Sequence, residues 1–284
     1  MTRLIDLLQR AAADLGSISG SPRLDAEVLL AHASRCTRSE LSMRRDAGVS
    51  ESDERAFRAL IASRLAGTPV AYLTGVREFW SLPLQVSPAV MVPRPETEIL
   101  VEHALRLIDS HKLGSVLDLG TGSGAVALAI ARERSAVRVT ATDLSEKAVD
   151  IARGNAQYLG LGNIRWRLGS WFAAVPRERF DLIVSNPPYV AAADPHLAVL
   201  QAEPMMALTP GPTGLEAYQA IIPAARQHLS SNGWIAFEHG ASQAAEVANL
   251  LEQNSFFNVT SHPDYSANLR VTLGSIHSNA QRLP

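Results

Sequence analysis

Cysteine is all but missing: Cys36 stands alone in a chain of 284 residues. No internal disulfide can form, which suits a reducing compartment. Lysine is almost as scarce. Of 26 basic residues only Lys112 and Lys147 are lysine and the rest are arginine, a bias that, beside so much alanine, reads as genome base composition. Long apolar runs are missing too. The longest, Gly124 to Ala131, is far short of the ~20 residues that a membrane helix needs. Asp6 and Arg10 break the apolar start from Met1, which excludes a secretory core there. Neither sign of charge is in excess. The net charge is -2 and the pI about 6.5, so no global field draws the chain to nucleic acid or to an anionic membrane. The eight histidines are scattered without metal-ligand spacing, and Ser170 and Ser185 lack a matched His/Asp arrangement. Metal and serine-hydrolase chemistry are therefore not expected. The expectation is a cytoplasmic protein and a monomer, with no membrane contact and no direct binding of nucleic acid.

What is present is a large apolar fraction, 46%, enough for a sizeable core, in a length that suits two domains. Residues 1–67 read as a small helical bundle. Leu4, Leu7, Leu8, Ala11 and Leu15 recur at helical spacing, Gly16 is a stop, and Ser21-Pro22 restarts a helix with Leu24, Val28 and Ala31 on one face. Ser50 or Ser52 caps a further helix carrying Phe57, Leu60, Ile61 and Leu65. The arginines here are a solvated face by default; contact with a protein partner is the second reading. Residues 68–92, punctuated by Pro69, Gly75, Pro83 and Pro88 around short runs such as Val70 to Leu73, read as a linker with a β-hairpin. From residue 93 a helix begins near Pro95-Glu96-Thr97-Glu98, and strands then alternate with helices. Strand-like runs lie at Ser115–Leu119, Val137–Thr142, Ile164–Leu168, Asp181–Val184, Trp234–Phe237 and Leu269–Leu273. Helical stretches lie at Ala125–Glu133, Glu146–Tyr158, Leu215–Leu229 and Ala241–Gln253. That alternation predicts an α/β, mostly parallel sheet covered on both faces.

Val116-Leu117-Asp118-Leu119 runs into Gly120-Thr121-Gly122-Ser123-Gly124, and a helix follows at once. Glycines let the backbone turn sharply and approach a ligand. Asp143 ends the next strand, 23 residues beyond Gly120, where a carboxylate can accept from both hydroxyls of a ribose. The spacing is G-x-G-x-G, not the G-x-G-x-x-G of a dinucleotide loop. With Asp118 two residues ahead, it better suits a ligand with an amino-acid end, such as S-adenosylmethionine. A ligand-free strand-to-helix turn and a nicotinamide site are the competing readings, and Asp143 could instead cap the helix that starts near Ser145.

Asp181-Leu182-Ile183-Val184 ends in Ser185-Asn186-Pro187-Pro188-Tyr189. Ligands of open α/β sheets sit outside the carboxyl ends of strands, so this segment and the glycine loop should face one crevice. An amide or aniline-like nitrogen is a poor nucleophile because its lone pair is delocalised. The activated sulfonium methyl needs alignment plus acceptors for the nitrogen's two hydrogens. Asn186 offers a side-chain carbonyl and Pro187 a backbone carbonyl, held rigid by Pro187-Pro188. Tyr189 can stack on a flat substrate group. This chemistry does not choose between an amide and the exocyclic amine of adenine. A Pro-Pro turn with Asn186 as a turn residue, or a cofactor-binding module without catalysis, are the blander readings.

Arg64-Leu65-Ala66-Gly67-Thr68-Pro69-Val70-Ala71-Tyr72-Leu73-Thr74-Gly75, Glu78-Phe79-Trp80, Val92-Pro93-Arg94-Pro95-Glu96-Thr97-Glu98, the glycine loop, Asn186-Pro187-Pro188-Tyr189, Glu203-Pro204 and Gly214-Leu215 together resemble the HemK/PrmC family of protein glutamine methyltransferases. The P-R-P-E-T-E element is the most specific; the tetrapeptide is shared with adenine methyltransferases of DNA and RNA. The resemblance implies an N-terminal helical bundle for substrate recognition at 1–67, a β-hairpin linker at 68–92 and a Rossmann-like, seven-stranded methyltransferase domain at 93–284. It implies methyl transfer from S-adenosylmethionine, leaving S-adenosylhomocysteine, to the glutamine of the Gly-Gly-Gln motif of class I peptide chain release factors. By position, Gly120 to Gly124 border the cofactor's methionine part, Asp143 holds its ribose and Trp171 flanks its adenine. Asn186, Pro187, Pro188 and Tyr189 bind the glutamine amide, with Asn186 also facing the cofactor. The chain departs from the family pattern at Thr213, where aspartate is usual, at Ala267, where glycine is usual, and at Leu269.

Overall fold

Short polar residues and prolines start the helices of the N-terminal region. In the computed structural model, which describes residues 2–44 and 47–277, α1 (Leu4–Leu15) buries the expected stripe Leu4, Leu7, Leu8, Ala11 and Leu15; Met1 lies outside the described residues. Pro22 opens α2 (Pro22–Ala33). Its buried residues are Ala26, Leu29, Leu30 and Ala31, whereas Leu24 is 41% exposed. The expected face is rotated because α2 packs against several helices at once, α1 and three that follow it in sequence. The first of these, α3 (Arg38–Met43), carries no apolar periodicity to announce it and is set by a capping box between Thr37 and Glu40. Ser50 caps α4 (Glu51–Leu65), accepting from Asp53 N–H at 3.1 Å. Phe57 and Ile61 of α4 are buried, but Leu65, in its last turn, is exposed. The run Val70 to Leu73 is helical, not extended: α5 (Val70–Thr74) starts after Pro69 and is stopped by Gly75 at φ +75°. A first compact unit ends at Val76 and a second begins at Arg77.

In the second unit a hairpin of β1 (Val76–Phe79) and β2 (Leu82–Gln85) turns through Trp80 and Ser81, both at positive φ, the geometry that matches strand twist in two-residue hairpins. Phe79, Leu82 and Leu84 are buried in the main core. Next come α6 (Glu98–His111), β3 (Ser115–Leu119), α7 (Ala125–Glu133), β4 (Arg138–Asp143), α8 (Glu146–Leu159), β5 (Ile164–Leu168) and β6 (Phe180–Ser185). They are followed by α9 (Glu216–Ala225), β7 (Leu229–Glu238), α10 (Ala244–Gln253), β8 (Phe257–Pro263) and β9 (Leu269–Ser275).

The strands form one seven-stranded sheet in the order β5-β4-β3-β6-β7-β9-β8. The first five are parallel and β9 is antiparallel to both neighbours. Period-2 alternation sends β3, β6 and β7 side chains to two cores. Val116, Leu182, Val184 and Trp234 join the α6/α7 side, while Leu117, Leu119, Ile183, Ile235 and Phe237 join the α9/α10 side. β8 carries no clean apolar alternation: it is half-exposed at the sheet's edge and distorted beside Asn258 at φ +53°, which is why the sequence did not announce it.

The β8–β9 turn explains one departure from the family pattern. Asp264 accepts from Ser266 and Asn268 N–H and from Arg270 Nε, which forces Ala267 to φ +64°. A Cβ is strained there. Ala267→Gly is therefore expected to stabilise the protein by about 0.5–1 kcal/mol, read as a raised midpoint in urea unfolding. A midpoint at or below wild type contradicts the strain.

Candidate active site

From β3 the chain winds to β4 and β5 on one side, then returns to β6 on the other. This reversal makes the β3/β6 boundary the topological switch point, where open α/β sheets bind ligands. Leu119 pairs with Ser185 at the carboxyl end of the two strands, and the buried Ser185 hydroxyl donates to Leu119 O at 2.7 Å. The next residues are Gly120 on one strand and Asn186 on the other, so the glycine loop and the tetrapeptide leave the sheet side by side.

Gly120, Gly122 and Gly124 all have positive φ, +74°, +57° and +88°, which accounts for the glycines. A Cβ on Gly124 would also stand 2.9 Å from Leu128 and 3.1 Å from Ala152. Side chains from three elements, β3, β4 and α8, hold the loop. The Thr121 hydroxyl donates to Asp118 Oδ2 at 2.7 Å, and Gly122 N–H donates to Asp143 Oδ2 at 2.9 Å. Asn155, fully buried on α8, donates through Nδ2 to Ser123 O and Gln85 O and accepts Gln85 N–H. Burial pushes the Asp118 carboxyl up to about 7 against the pull of the Thr121 hydroxyl. It raises Asp143 as well, against backbone N–H groups of Ser145, Gly122 and Leu144.

A cleft enclosing about 1090 Å³, its open mouth included, lies over these strand ends. Gly120, Thr121, Gly122, Ser123, Asp143, Trp171, Asn186 and Pro188 line it, whereas Gly124, Pro187 and Tyr189 are not among its lining residues. Helix α8 has its own cap, the Ser145 hydroxyl accepting from Ala148 N–H. The Asp143 carboxylate accepts Gly122 N–H on Oδ2 and Ser145 N–H on Oδ1, and an oxygen with one such bond keeps a lone pair for a ligand hydroxyl. Trp171 begins a short 3-10 turn at φ +43°, and its indole edge lies 3.6 Å from where a Cβ on Gly120 would stand. Among the described lining residues there are two carboxylates, Asp118 and Asp143, and no lysine, arginine or histidine. That donor set is unsuited to a pyrophosphate and suits a ligand carrying positive charge, a diol and a flat apolar ring.

The tetrapeptide is tied by residues to which the motifs assigned no role, Thr97 on the cleft wall among them. Asn186 Nδ2 donates to Thr97 Oγ1 at 3.1 Å. The Tyr189 hydroxyl donates to Glu238 Oε1 at 3.3 Å. Tyr189 packs on the α9/α10 core, and burial, with the Glu238 charge, raises its phenol well above the usual value. Gln243 Nε2 donates to Tyr189 O and Gly214 O. Gly214 has φ +79°, and a Cβ there would meet Tyr189 O at 2.4 Å. Ahead of α9, Thr213 donates to Glu216 Oε1 through its N–H and its hydroxyl and accepts from Leu215 N–H; an aspartate there could accept from Leu215 but not make the hydroxyl's donation. Glu203, buried, accepts from Val92 N–H and pairs with Arg94, which fastens the P-R-P-E-T-E segment to the loop bearing Pro204 and Met206 on the cleft wall. Thr97 was visible only as a member of that segment. Glu238 had a signal of its own: a carboxylate ending the apolar run Trp234-Ile235-Ala236-Phe237 at the ligand end of a strand.

Comparison with known proteins bears on both units. The PrmC N-terminal domain model matches residues 6–75 and the methyltransferase small domain model residues 95–211. The release factor glutamine methyltransferase of Xylella fastidiosa is 47% identical over 89% of this chain and 92% of its own length. That of Aliivibrio fischeri is 44% identical over 90% and 91%. The chain belongs to the release factor glutamine methyltransferases. A solved methyltransferase of Pyrococcus furiosus, 18% identical, shares the fold at a TM-score of 0.51 over 77% of this chain and 97% of its own. The helical N-terminal unit and the seven-stranded sheet are thus those of a methyltransferase of this family, and no described helix is long and apolar enough to cross a membrane.

In this methyltransferase the glycine loop depends on Asn155. Asn155→Leu keeps the volume but leaves two carbonyls and the Gln85 N–H without partners. It is expected to cost about 2–3 kcal/mol of stability and to weaken cofactor binding, measured by urea unfolding and calorimetric titration. Unchanged values in both would show that the loop holds without it.

Proposed function

We propose that this methyltransferase transfers the methyl group of S-adenosylmethionine to the side-chain amide nitrogen of the glutamine in the Gly-Gly-Gln motif of class I release factors. S-adenosylmethionine supplies an already activated methyl on a positively charged sulfur. The acidic cleft with no basic lining residue supports such a donor. In this reading Gly120, Thr121, Gly122, Ser123 and Gly124 border the amino-acid end, Asp143 accepts from the ribose hydroxyls and Trp171 flanks the adenine.

The observation that carries the substrate reading is the commitment of Asn186 Nδ2 to Thr97. It leaves Oδ1, an acceptor, as the group Asn186 has for a substrate N–H. The backbone carbonyl of Pro187 takes the second N–H, Pro188 keeps that carbonyl in place and Tyr189 flanks the amide plane. Two acceptors on one nitrogen favour a pyramidal geometry with the lone pair aimed at the methyl, an orientation effect worth at most roughly 7–11 kcal/mol. No strong base is required, because the nitrogen becomes acidic as the methyl bonds and its proton passes to water.

Incubating the protein with S-adenosylmethionine and an unmodified release factor should add one methyl to the Gly-Gly-Gln peptide, detected by mass spectrometry. Asn186→Ala should lower turnover by about 10²-fold or more with cofactor affinity held. No mass change on that peptide, or salt-dependent methylation of DNA or RNA instead, would overturn the assignment.

A further inference from the structure

Asn186 has two ends that differ chemically and hardly at all in shape. Its oxygen accepts and its nitrogen donates, so a half-turn of the amide would present N–H groups, not a carbonyl, to a substrate amine or amide. Something must fix that choice. The only side-chain hydrogen bond of Asn186 among those described runs to Thr97, and a hydroxyl cannot fix it alone, because a hydroxyl both donates and accepts. Left free, Thr97 could take a proton from Asn186 Nδ2 or give one to Oδ1.

Glu238 breaks this symmetry. It ends β7, is 1% exposed, and as a carboxylate is an acceptor with nothing to give. The Thr97 and Tyr189 hydroxyls both face it and pull its pKa down, against the burial that raises it. Tyr189 bonds Oε1, and Oε2 is buried without a hydrogen bond of its own. With the Thr97 proton directed at Glu238, the Thr97 oxygen is left to accept, and only the nitrogen end of Asn186 can meet it. We propose that Glu238 is a positioning residue that, through Thr97, sets which end of the Asn186 amide faces the substrate, and that it orients the Tyr189 hydroxyl from the same carboxylate. This deepens the glutamine-amide reading above and rests on it.

The device works only while Glu238 is ionised. Protonated, it could donate to Thr97 and release the order of the chain. The charged and titratable groups facing it are Arg270 on β9, Glu96 ahead of α6, Tyr189 after β6 and Tyr218 on α9, with Arg94 beside Tyr189. Burial pushes its carboxyl up to about 7, against Thr97, Tyr189 and Arg270. The device therefore loses its sense as the pH falls through neutrality.

Three variants test this. Glu238→Gln and Thr97→Val should each lower kcat by on the order of 10- to 100-fold with little change in the dissociation constant of S-adenosylmethionine. The double variant should be no worse than either single one, since both cut one chain. Thr97→Ser, which keeps the hydroxyl, should recover most of the turnover lost in Thr97→Val. The acid limb of the wild-type kcat profile, falling below about pH 7, should be absent in Glu238→Gln. An additive double variant, an unaltered acid limb or a failed serine rescue would reduce both residues to packing and overturn the proposal.

A readout that needs no turnover separates this from the substrate assignment. In protein labelled with ¹⁵N at asparagine side chains, the Asn186 NH₂ protons should be shielded from exchange in wild type and exposed in Thr97→Val and Glu238→Gln. If the release factor is not methylated yet that protection pattern appears, the substrate reading fails and the orienting chain stands. If the pattern is absent, the chain fails whatever the substrate.

Discussion

The parallel pairing of β3 with β6 is the constraint from which the rest of the site follows. Neither strand is next to the other in sequence, and the chain makes three crossover connections between them. Leu119 and Ser185 are in register, and the Ser185 hydroxyl spans the pair to Leu119 O at 2.7 Å. A slip of one residue would turn every apolar side chain of β6 to the opposite core. It would also shift Asn186 by about 3.3 Å along the strand relative to Gly120. Burial on both faces of the sheet thus fixes the distance between cofactor loop and tetrapeptide, and the chemistry inherits that distance.

What the pairing leaves undetermined, buried side chains settle. A loop with three positive-φ glycines is free to move in the unfolded chain and must be restrained in the folded one. Asp118, Asp143 and Asn155 do this, each with the loop's own backbone or hydroxyl groups. On the other side Thr97, Glu238 and Gln243 restrain the tetrapeptide. These restraints come from different elements: β3, β4, α8, the start of α6, the end of β7 and the start of α10.

That spread of restraints explains what could be read from the sequence. Gly120 to Ser123, Asp143, Trp171 and Asn186 meet around one cleft; the loop, Asp143 and Asn186 announced themselves by a glycine pattern or by ending an apolar run, and Trp171 only by the family resemblance. Thr97 and Asn155 have no such pattern, and Glu238, although it ends an apolar run, showed nothing of what it meets. A single asparagine in a helix shows its partners only after β2 has folded back onto α8, and those contacts have no local signature. The same holds for the α2 face: its periodicity was helical, but which stripe is buried depended on α4 and α5 arriving from elsewhere in the chain. β8 lacked alternation because an edge strand needs little of it. Thr213 and Ala267 departed from the family pattern at turns, where the threonine hydroxyl donates to Glu216 and alanine sits under strain.

The electrostatics of the cleft bear on why so few groups suffice. Methyl transfer from a sulfonium to a neutral amide moves positive charge a short distance and then loses it with the departing proton. A site with lysine or arginine on its wall would repel the donor before any transfer. Here the lining carboxylates are Asp118 and Asp143, and Asp118 is poised near neutrality by its burial, so a bound cation would draw it into its ionised form. At the acceptor end the requirement is different: no charge, but two oxygens at fixed positions. In the proposed reading the Asn186 carbonyl meets that requirement without holding the proton, as a more basic carboxylate in the same place would. In the proposed orienting chain the charge stands one step back, at Glu238, where it orients the acceptor through Thr97 without touching the reacting nitrogen.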